Sequence, residues 1–270
     1  MRLFVAGLRK LVRRPATYVT FGLLVGLLAL ILIAVGATAG QEGAGEDGQE
    51  ALLLVTFPGA YSLILQFILG LGGLFALIYG AAIAGSEWTW GTLKSAVARG
   101  ENRSRYQLLS LAAIAVMLGL GLLAAFAIGV AVAVVAANLA SVSTAGLSDA
   151  ATLGTIPELM ARGWFAIAEA GALGFAIATL ARSQLAGIGV GIAVYFGEGF
   201  ASIFLPDVVK YLPFNAGSAV VATSGGGGGF GGGGGPVGLE PNTALVVVAI
   251  WLVAAVVITA AFTERAEISG

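Results

Sequence analysis

Six long apolar stretches constrain the fold of this chain more than any other feature. A helix needs about 20 mostly apolar residues to cross a hydrocarbon layer about 30 Å thick. Of the 270 residues, 59% are hydrophobic and only 10% are charged. The sequence therefore predicts an all-α, polytopic membrane protein, a single transmembrane domain with six transmembrane helices at residues 18–39, 61–84, 108–137, 163–180, 185–205 and 243–262.

Basic residues are distributed unevenly between the two predicted faces. Eleven of the thirteen Lys and Arg residues fall on the side of the termini and of the loop between the second and third spans. By the positive-inside rule, both termini and this loop are expected to be cytoplasmic. The composition, rich in Ala and Gly and poor in Lys, is typical of high-GC prokaryotic genes. We therefore expect the chain in the plasma membrane of a prokaryotic cell.

The first 39 residues combine a basic segment, an apolar run and Ala37–Ala39, and so resemble a secretory signal peptide. The apolar run exceeds the roughly 7–15 residues of a signal-peptide core, which favours an uncleaved anchor. Ahead of it, the pattern predicts an N-terminal amphipathic helix on the inner membrane surface, ended before Pro15. A merely basic flank that sets topology is the alternative. The apolar face of the predicted helix carries Phe4, Leu8, Leu11 and Val12.

The residue inventory excludes several kinds of chemistry. The chain contains no Cys and no His, which excludes disulfides, thiol catalysis, His-based zinc sites and His-dependent triads. It has no G-x-x-x-x-G-K-[ST] motif, and its predicted cytoplasmic segments are too short for an ATPase domain. We therefore expect no catalytic residue, metal or cofactor in this chain, and no nucleic-acid partner.

The predicted cytoplasmic loop, residues 85–107, is the most polar segment between the apolar runs. Ser86 is a favourable N-cap, which would place Glu87 in the first turn at the positive end of the helix dipole. Gly100 would end this helix. The pattern predicts a short amphipathic helix with two exposed tryptophans, Trp88 and Trp90. Its apolar residues, at positions i, i+3 and i+7, are Trp90, Leu93 and Val97.

The same loop carries a constellation that resembles permease subunits of the type-2 ABC exporter family. Its residues are Glu87, Gly91, Thr92, Leu93, Lys94, Arg99, Gly100, Ser104 and Arg105. The resemblance implies that this loop, with Trp88 and Trp90, is a coupling helix that docks into a separately encoded ATPase subunit. It further implies two permease subunits and two ATPase subunits, which use ATP and Mg. The alternative interpretation is an interfacial helix whose tryptophans lie among lipid headgroups.

Two carboxylates fall inside predicted spans, Glu169 in the fourth and Glu198 in the fifth. A charged side chain in hydrocarbon costs about 3 kcal/mol even on the insertion scale, so such residues usually face a bundle interior or a water-filled path. One interpretation is a polar patch in an outward substrate pathway, suited to cationic amphiphiles. The other is that one or both are protonated, or hydrogen-bonded to Ser, Thr or Tyr of neighbouring helices, and serve packing. Gly197 and Gly199 would let another backbone or a ligand approach Glu198.

The segment 206–242 is predicted to be an external glycine-rich loop. The family resemblance implies short re-entrant or external helices in its first part, which close the outer side of the pathway. The run Thr223–Gly238 has almost no side chains and predicts a flexible tether.

Together these features predict the membrane-spanning permease subunit of an ATP-driven exporter that works by alternating access. One alternative is a non-transporting membrane scaffold or assembly factor. Another is a proton-coupled secondary transporter that uses Glu169 and Glu198, for which inverted repeats would be expected. The spans contain nothing that selects among peptides, drugs, lipids and polysaccharides as the substrate.

Overall fold

The computed structural model describes residues 2–39, 52–221 and 238–265, which contain helices and turns and no strand. The predicted tether lies outside the described residues except for Gly238. The helices are α1 (Arg2–Val12), α2 (Pro15–Ala39), α3 (Gly59–Thr89), α4 (Thr92–Ala98), α5 (Arg103–Leu139), α6 (Ala150–Ala181), α7 (Gln184–Ala201), α8 (Pro206–Val209), α9 (Pro213–Ala219) and α10 (Pro241–Arg265).

Six of these helices, α2, α3, α5, α6, α7 and α10, are long and apolar enough to cross a membrane. The prediction of an all-α, six-span protein is confirmed at this level. Helix α5 is continuous over 37 residues, or about 55 Å at 1.5 Å per residue. It is much longer than the hydrocarbon thickness, so we expect this helix to tilt or to protrude from the membrane.

Helix α6 begins well before the predicted start of its span at residue 163. The Asp149 side chain caps its N-terminus by accepting a hydrogen bond from the Thr152 backbone N–H. Pro157 lies inside the helix without ending it. Arg162 donates to Glu158 one turn earlier at 2.7 Å. This ion pair lies in the polar first part of α6, before the apolar stretch begins. The prediction of a start at 163 reflected only the apolar length.

The bundle is organised around α3, which packs most extensively against α6 and also against α2, α5 and α7. Two glycines allow the α3 and α6 backbones to touch. A Cβ added at Gly80 would lie 2.0 Å from the Gly171 carbonyl oxygen, and one at Gly174 would lie 2.0 Å from the Leu77 carbonyl oxygen. Small residues permit such close approach between membrane helices.

Two short helices lie against opposite ends of this bundle. Helix α1 packs against α5, and its Leu11 is buried in a cluster with residues of α3 and α5. Phe4 and Leu8 pack against the same cluster, whereas Val12 is exposed. The predicted N-terminal helix is therefore present, and most of its apolar face contacts the bundle. At the other end, α9 packs against α3, α6, α7 and α10.

Candidate functional site

The end of α3 differs from the sequence prediction. Ser86 is not an N-cap, because α3 continues through it to Thr89. Glu87 therefore lies in the last turns of a long helix, and only 1% of its surface is exposed. Gly91, with φ of +64°, turns the chain before α4 begins at Thr92. The predicted helix from Ser86 with Trp90, Leu93 and Val97 on one face is wrong, since Trp90 lies outside both helices.

The Glu87 carboxylate is the centre of a contact between three helices. Lys10 of α1 donates from Nζ to Glu87 Oε1 at 2.8 Å. The Tyr106 hydroxyl of α5 donates to the same oxygen at 3.3 Å. A buried carboxylate needs such partners, because taking an unpaired charge out of water costs on the order of several kcal/mol in real proteins. Glu87 thus joins α1 and α5 to the end of α3.

A second contact beside Glu87 involves the junction between α1 and α2. Arg14 Nη1 donates to Ser86 Oγ at 2.8 Å, and its guanidinium carbon lies 5.5 Å from the centroid of the Trp90 ring. Ser86 Oγ in turn donates to the Ile83 carbonyl oxygen at 2.8 Å. Ser86, which was predicted to be a helix cap, is therefore part of an interhelical contact.

The chain beyond Glu87 is mostly exposed. Trp90 has 68% of its surface exposed, and Ser95 and Arg99 are also exposed. The Thr92 hydroxyl donates to the Glu87 carbonyl oxygen at 3.3 Å, which ties the start of α4 to the end of α3. The side chains of Leu93 and Lys94 lie outside the described residues. We call the segment Trp90–Arg99 the exposed elbow.

The chain from the elbow to α5 is short and ordered by local hydrogen bonds. Gly100, with φ of +85°, follows the end of α4 as predicted. Asn102 caps α5: its Oδ1 accepts from the Arg105 backbone N–H at 3.1 Å and from the Ser104 hydroxyl at 2.8 Å. The constellation that carries the family resemblance therefore divides into a buried residue, Glu87, and residues of the elbow and the start of α5.

Trp88, which was predicted to be exposed, is half-buried, and it connects two further helix ends through Arg182. The Arg182 guanidinium carbon lies 5.3 Å from the centroids of both the Trp88 ring and the Phe262 ring. Arg182 adopts the left-handed conformation, with φ of +51°, at the end of α6. A guanidinium over aromatic faces is attracted by their electron density. Arg182 thus joins the end of α6 to α3 and α10.

Glu198 forms a second buried acidic centre, near the other end of the bundle. It has 4% of its surface exposed. Its Oε2 accepts hydrogen bonds from the Phe214 N–H at 3.1 Å, the Asn215 N–H at 3.2 Å and Asn215 Nδ2 at 3.1 Å. All three donors belong to α9. The expected approach of another backbone does occur, although a Cβ at Gly197 would meet nothing within 4 Å.

Glu169 of α6 lies on the same side of the molecule as α9. It has 1% of its surface exposed, and its Oε1 has no hydrogen-bond partner in the described part of the chain. One turn away, Ala166 is 3.7 Å from where a Cβ of Gly217 would lie, so α9 passes beside this part of α6. The structure thus places the two predicted membrane carboxylates next to the same short helix.

A metal site is not indicated by the described residues, which contain no group of three or more His, Cys, Asp and Glu side chains that could hold an ion. Neither a scan against models of known protein families nor a search of curated proteins finds a match for this chain. The function is therefore inferred from the geometry of the two acidic centres and the elbow.

Several residues of these centres were missed by sequence reasoning. Lys10 and Arg14 were counted among the basic residues that set the topology, and Tyr106 fell in the predicted cytoplasmic loop 85–107. Asn215 fell in the predicted external loop 206–242, and no partner was predicted for it. The available signal was weak: Pro206 and Pro213 each stand at the start of a short helix, a position that favours proline.

Proposed function

We propose that this chain is the membrane-spanning permease subunit of an ATP-driven exporter in the plasma membrane of a prokaryotic cell. Both termini and the exposed elbow would face the cytoplasm, since most basic residues lie there. Two such permease subunits, identical or homologous, would pair in the lipid bilayer. Two separately encoded ATPase subunits would bind ATP and Mg and dock on the elbows.

The exposed elbow carries this proposal. A tryptophan that is 68% exposed, at a helix turn and beside the half-buried Arg14 guanidinium, is the kind of residue that dominates binding energy at protein interfaces. The elbow is also attached firmly to the bundle, because Thr92 bonds to the end of α3 and Arg14 packs on Trp90. A partner that moves the elbow would therefore move α3.

The buried Glu87 centre would transmit this movement. Lys10 and Tyr106 both bond to Glu87, so α1, α3 and α5 would shift together rather than slide past one another. Closure of the ATPase subunits on ATP would then bias the bundle between inward-open and outward-open arrangements. Glu87 acts in this scheme as a positioning residue, since it is too buried to contact a partner itself.

The pathway would pass the two membrane carboxylates. Glu169 is buried within α6 and Glu198 is buried near the C-terminal end of α7, both beside a short helix. Neither is paired with a lysine or arginine among the described residues. Membrane carboxylates of this kind commonly mark substrate or ion routes.

The experiment compares two exposed aromatic residues, each with a cation 5.5 Å from its ring centroid: Trp90 beside Arg14, and Tyr211 beside Lys210 at the other end. An ATPase with a P-loop, encoded by a gene next to that of this chain, would be purified. It would then be added to the chain in lipid nanodiscs. Trp90→Ala is expected to weaken binding of this ATPase, and its stimulation by the chain, about tenfold or more. Tyr211→Ala should change neither. Equal effects of both substitutions, or none from Trp90→Ala, would reject docking at the elbow.

A proton-coupled secondary transporter is the second candidate, favoured specifically by the burial of Glu169 and Glu198. Transport assays in proteoliposomes would distinguish the proton-coupled transporter from the ATP-driven exporter. A pH gradient alone would drive the second mechanism, whereas the exporter needs MgATP and the ATPase subunit.

A further inference from the structure

Helix α9 packs through apolar residues against four spanning helices, and among the described residues one carboxylate supplies its main polar attachment to them. The segment reaches inward from the end of α7, and Pro213, Ala216, Gly217 and Ala219 are buried among spanning helices. Its polar attachment is Glu198, which accepts two backbone N–H groups and the Asn215 amide. The Phe214 ring packs edge-on against Tyr195, with centroids 5.0 Å apart.

The two side chains that contact α9 from α7 are themselves held in place. Tyr195 and Glu198 lie one turn apart on the same helix, and the Tyr195 hydroxyl donates to the Gly70 carbonyl oxygen of α3 at 3.0 Å. This bond fixes the face of α7 that presents Glu198. The contact therefore joins a well-anchored acceptor to a short helix that has few other polar bonds to the bundle.

The chemistry of this contact permits reversible release. Glu198 Oε2 has three donors, whereas Oε1 has no partner within the described residues. All three donors are uncharged, so separation of α9 would leave a carboxylate that water can solvate and backbone groups that water can also bond. An ion pair with a buried lysine would be harder to separate in a low-dielectric interior.

We propose that Glu198 is a latch: its carboxylate holds α9 between α3, α6, α7 and α10 and keeps this end of the pathway closed, and α9 leaves when the three hydrogen bonds break. The inference rests on the proposed function for the statement that a pathway exists. It deepens that function by assigning the residue that controls the outer end. The attachment of α9 can be tested without any ATPase.

The absence of native cysteine allows a direct test. Ser218→Cys places a nearly isosteric thiol on half-buried α9, and Ser148→Cys places one at an exposed position on the same side as a reference. The full-length chain in nanodiscs would be treated with a sulfonated, membrane-impermeant maleimide. Glu198→Ala is expected to raise the labelling rate of Ser218→Cys roughly tenfold or more, since it removes bonds to a charged acceptor. The rate at Ser148→Cys should stay the same.

Two further variants make the result specific. Asn215→Ala removes one of the three donors and should raise the rate about threefold, which also decides the matter if Glu198→Ala does not fold. Glu158→Ala removes an exposed acid of α6 and should leave the rate unchanged. Folding is checked by a monodisperse elution profile. An unchanged rate in folded Glu198→Ala or Asn215→Ala, or an equal increase in Glu158→Ala, would overturn the latch.

Adding the ATPase subunit and MgATP separates the latch from the exporter function. If Glu198→Ala raises labelling but MgATP with the ATPase subunit drives no transport, attachment of α9 by Glu198 is supported and the exporter proposal fails. If MgATP drives transport while Glu198→Ala leaves labelling unchanged, the exporter proposal is supported and the latch is overturned.

Discussion

Glu87 and Glu198 are both buried carboxylates at helix contacts, but they are stabilised in different ways. Glu87 has a cationic partner, Lys10, in a helix that lies against the end of the bundle. Glu198 has only uncharged donors from a helix inserted into the bundle. A charge pair fixes its elements strongly because removing either partner leaves a buried charge. Neutral donors hold a helix more loosely than a charge pair does. The end of the bundle at Glu87 is therefore suited to transmitting movement, and the end at Glu198 is suited to opening.

The largest expected effect tests the charge pair. Glu87→Arg places a cation beside Lys10 and Arg14 in a site that is nearly inaccessible to water. Breaking a fully buried pair costs about 3–5 kcal/mol, and the 33% exposure of the Lys10 side chain reduces that cost here. The variant should still lose much of its folded yield and thermal stability, because a new cation would lie at the buried Glu87 position beside two others. The measurement is fluorescence-detected size exclusion with a melting series in detergent. Adding Lys10→Glu to the same variant should restore part of the stability, and equal stability of parent and Glu87→Arg would contradict a structural role for the pair.

The next prediction concerns the α3–α6 contact, which connects the two ends. Gly174→Ala would bring a Cβ against the Leu77 carbonyl oxygen, and the backbones would have to separate. We expect a loss of about 1–3 kcal/mol, as for overpacked cores, seen as a lower melting temperature. Gly154→Ala in the same helix is the matched control, since its Cβ would meet nothing within 4 Å. If the two variants melted alike, the close contact of α3 with α6 would be unimportant.

The sequence predicted the long helices well because about 20 apolar residues in a row have few other stable arrangements. It misassigned Ser86 and Glu87, since local capping rules favour a helix start there, whereas the deciding partner, Lys10, is 77 positions away along the chain. The same limit applied to Glu198, whose donors lie in a polar segment without a clear period. The identity of the acidic residues was predictable, and their partners were not.

The smallest expected effect concerns an acid outside the spans. Hydrogen bonds from the Thr152 hydroxyl and the Thr152 backbone N–H lower the pKa of Asp149 below its ordinary value of 3.8. The folded state therefore binds the proton less readily than the unfolded state, and this stabilisation is present above the unfolded pKa and lost as pH falls through the folded pKa. Asp149→Ala should melt slightly below the parent at neutral pH.

The pH series identifies the cause of that difference. The gap between Asp149→Ala and the parent should narrow as the pH is lowered below 3.8, and Asp149→Asn, which retains a capping side chain, should lie closer to the parent at neutral pH. A gap that stayed constant across the series would show that the carboxylate charge is not involved.

Docking of the exposed elbow is tested most directly by crosslinking. Ser95→Cys introduces the only thiol of the chain on exposed α4, and Ser148→Cys introduces one at the opposite end. Each would carry a photoactivatable maleimide and be mixed in nanodiscs with the ATPase subunit. We predict an adduct with the ATPase from Ser95→Cys, with a yield that changes on addition of MgATP, and none from Ser148→Cys. No adduct from Ser95→Cys, or equal adducts from both positions, would contradict the proposal that ATP-driven movement enters this protein through the elbow.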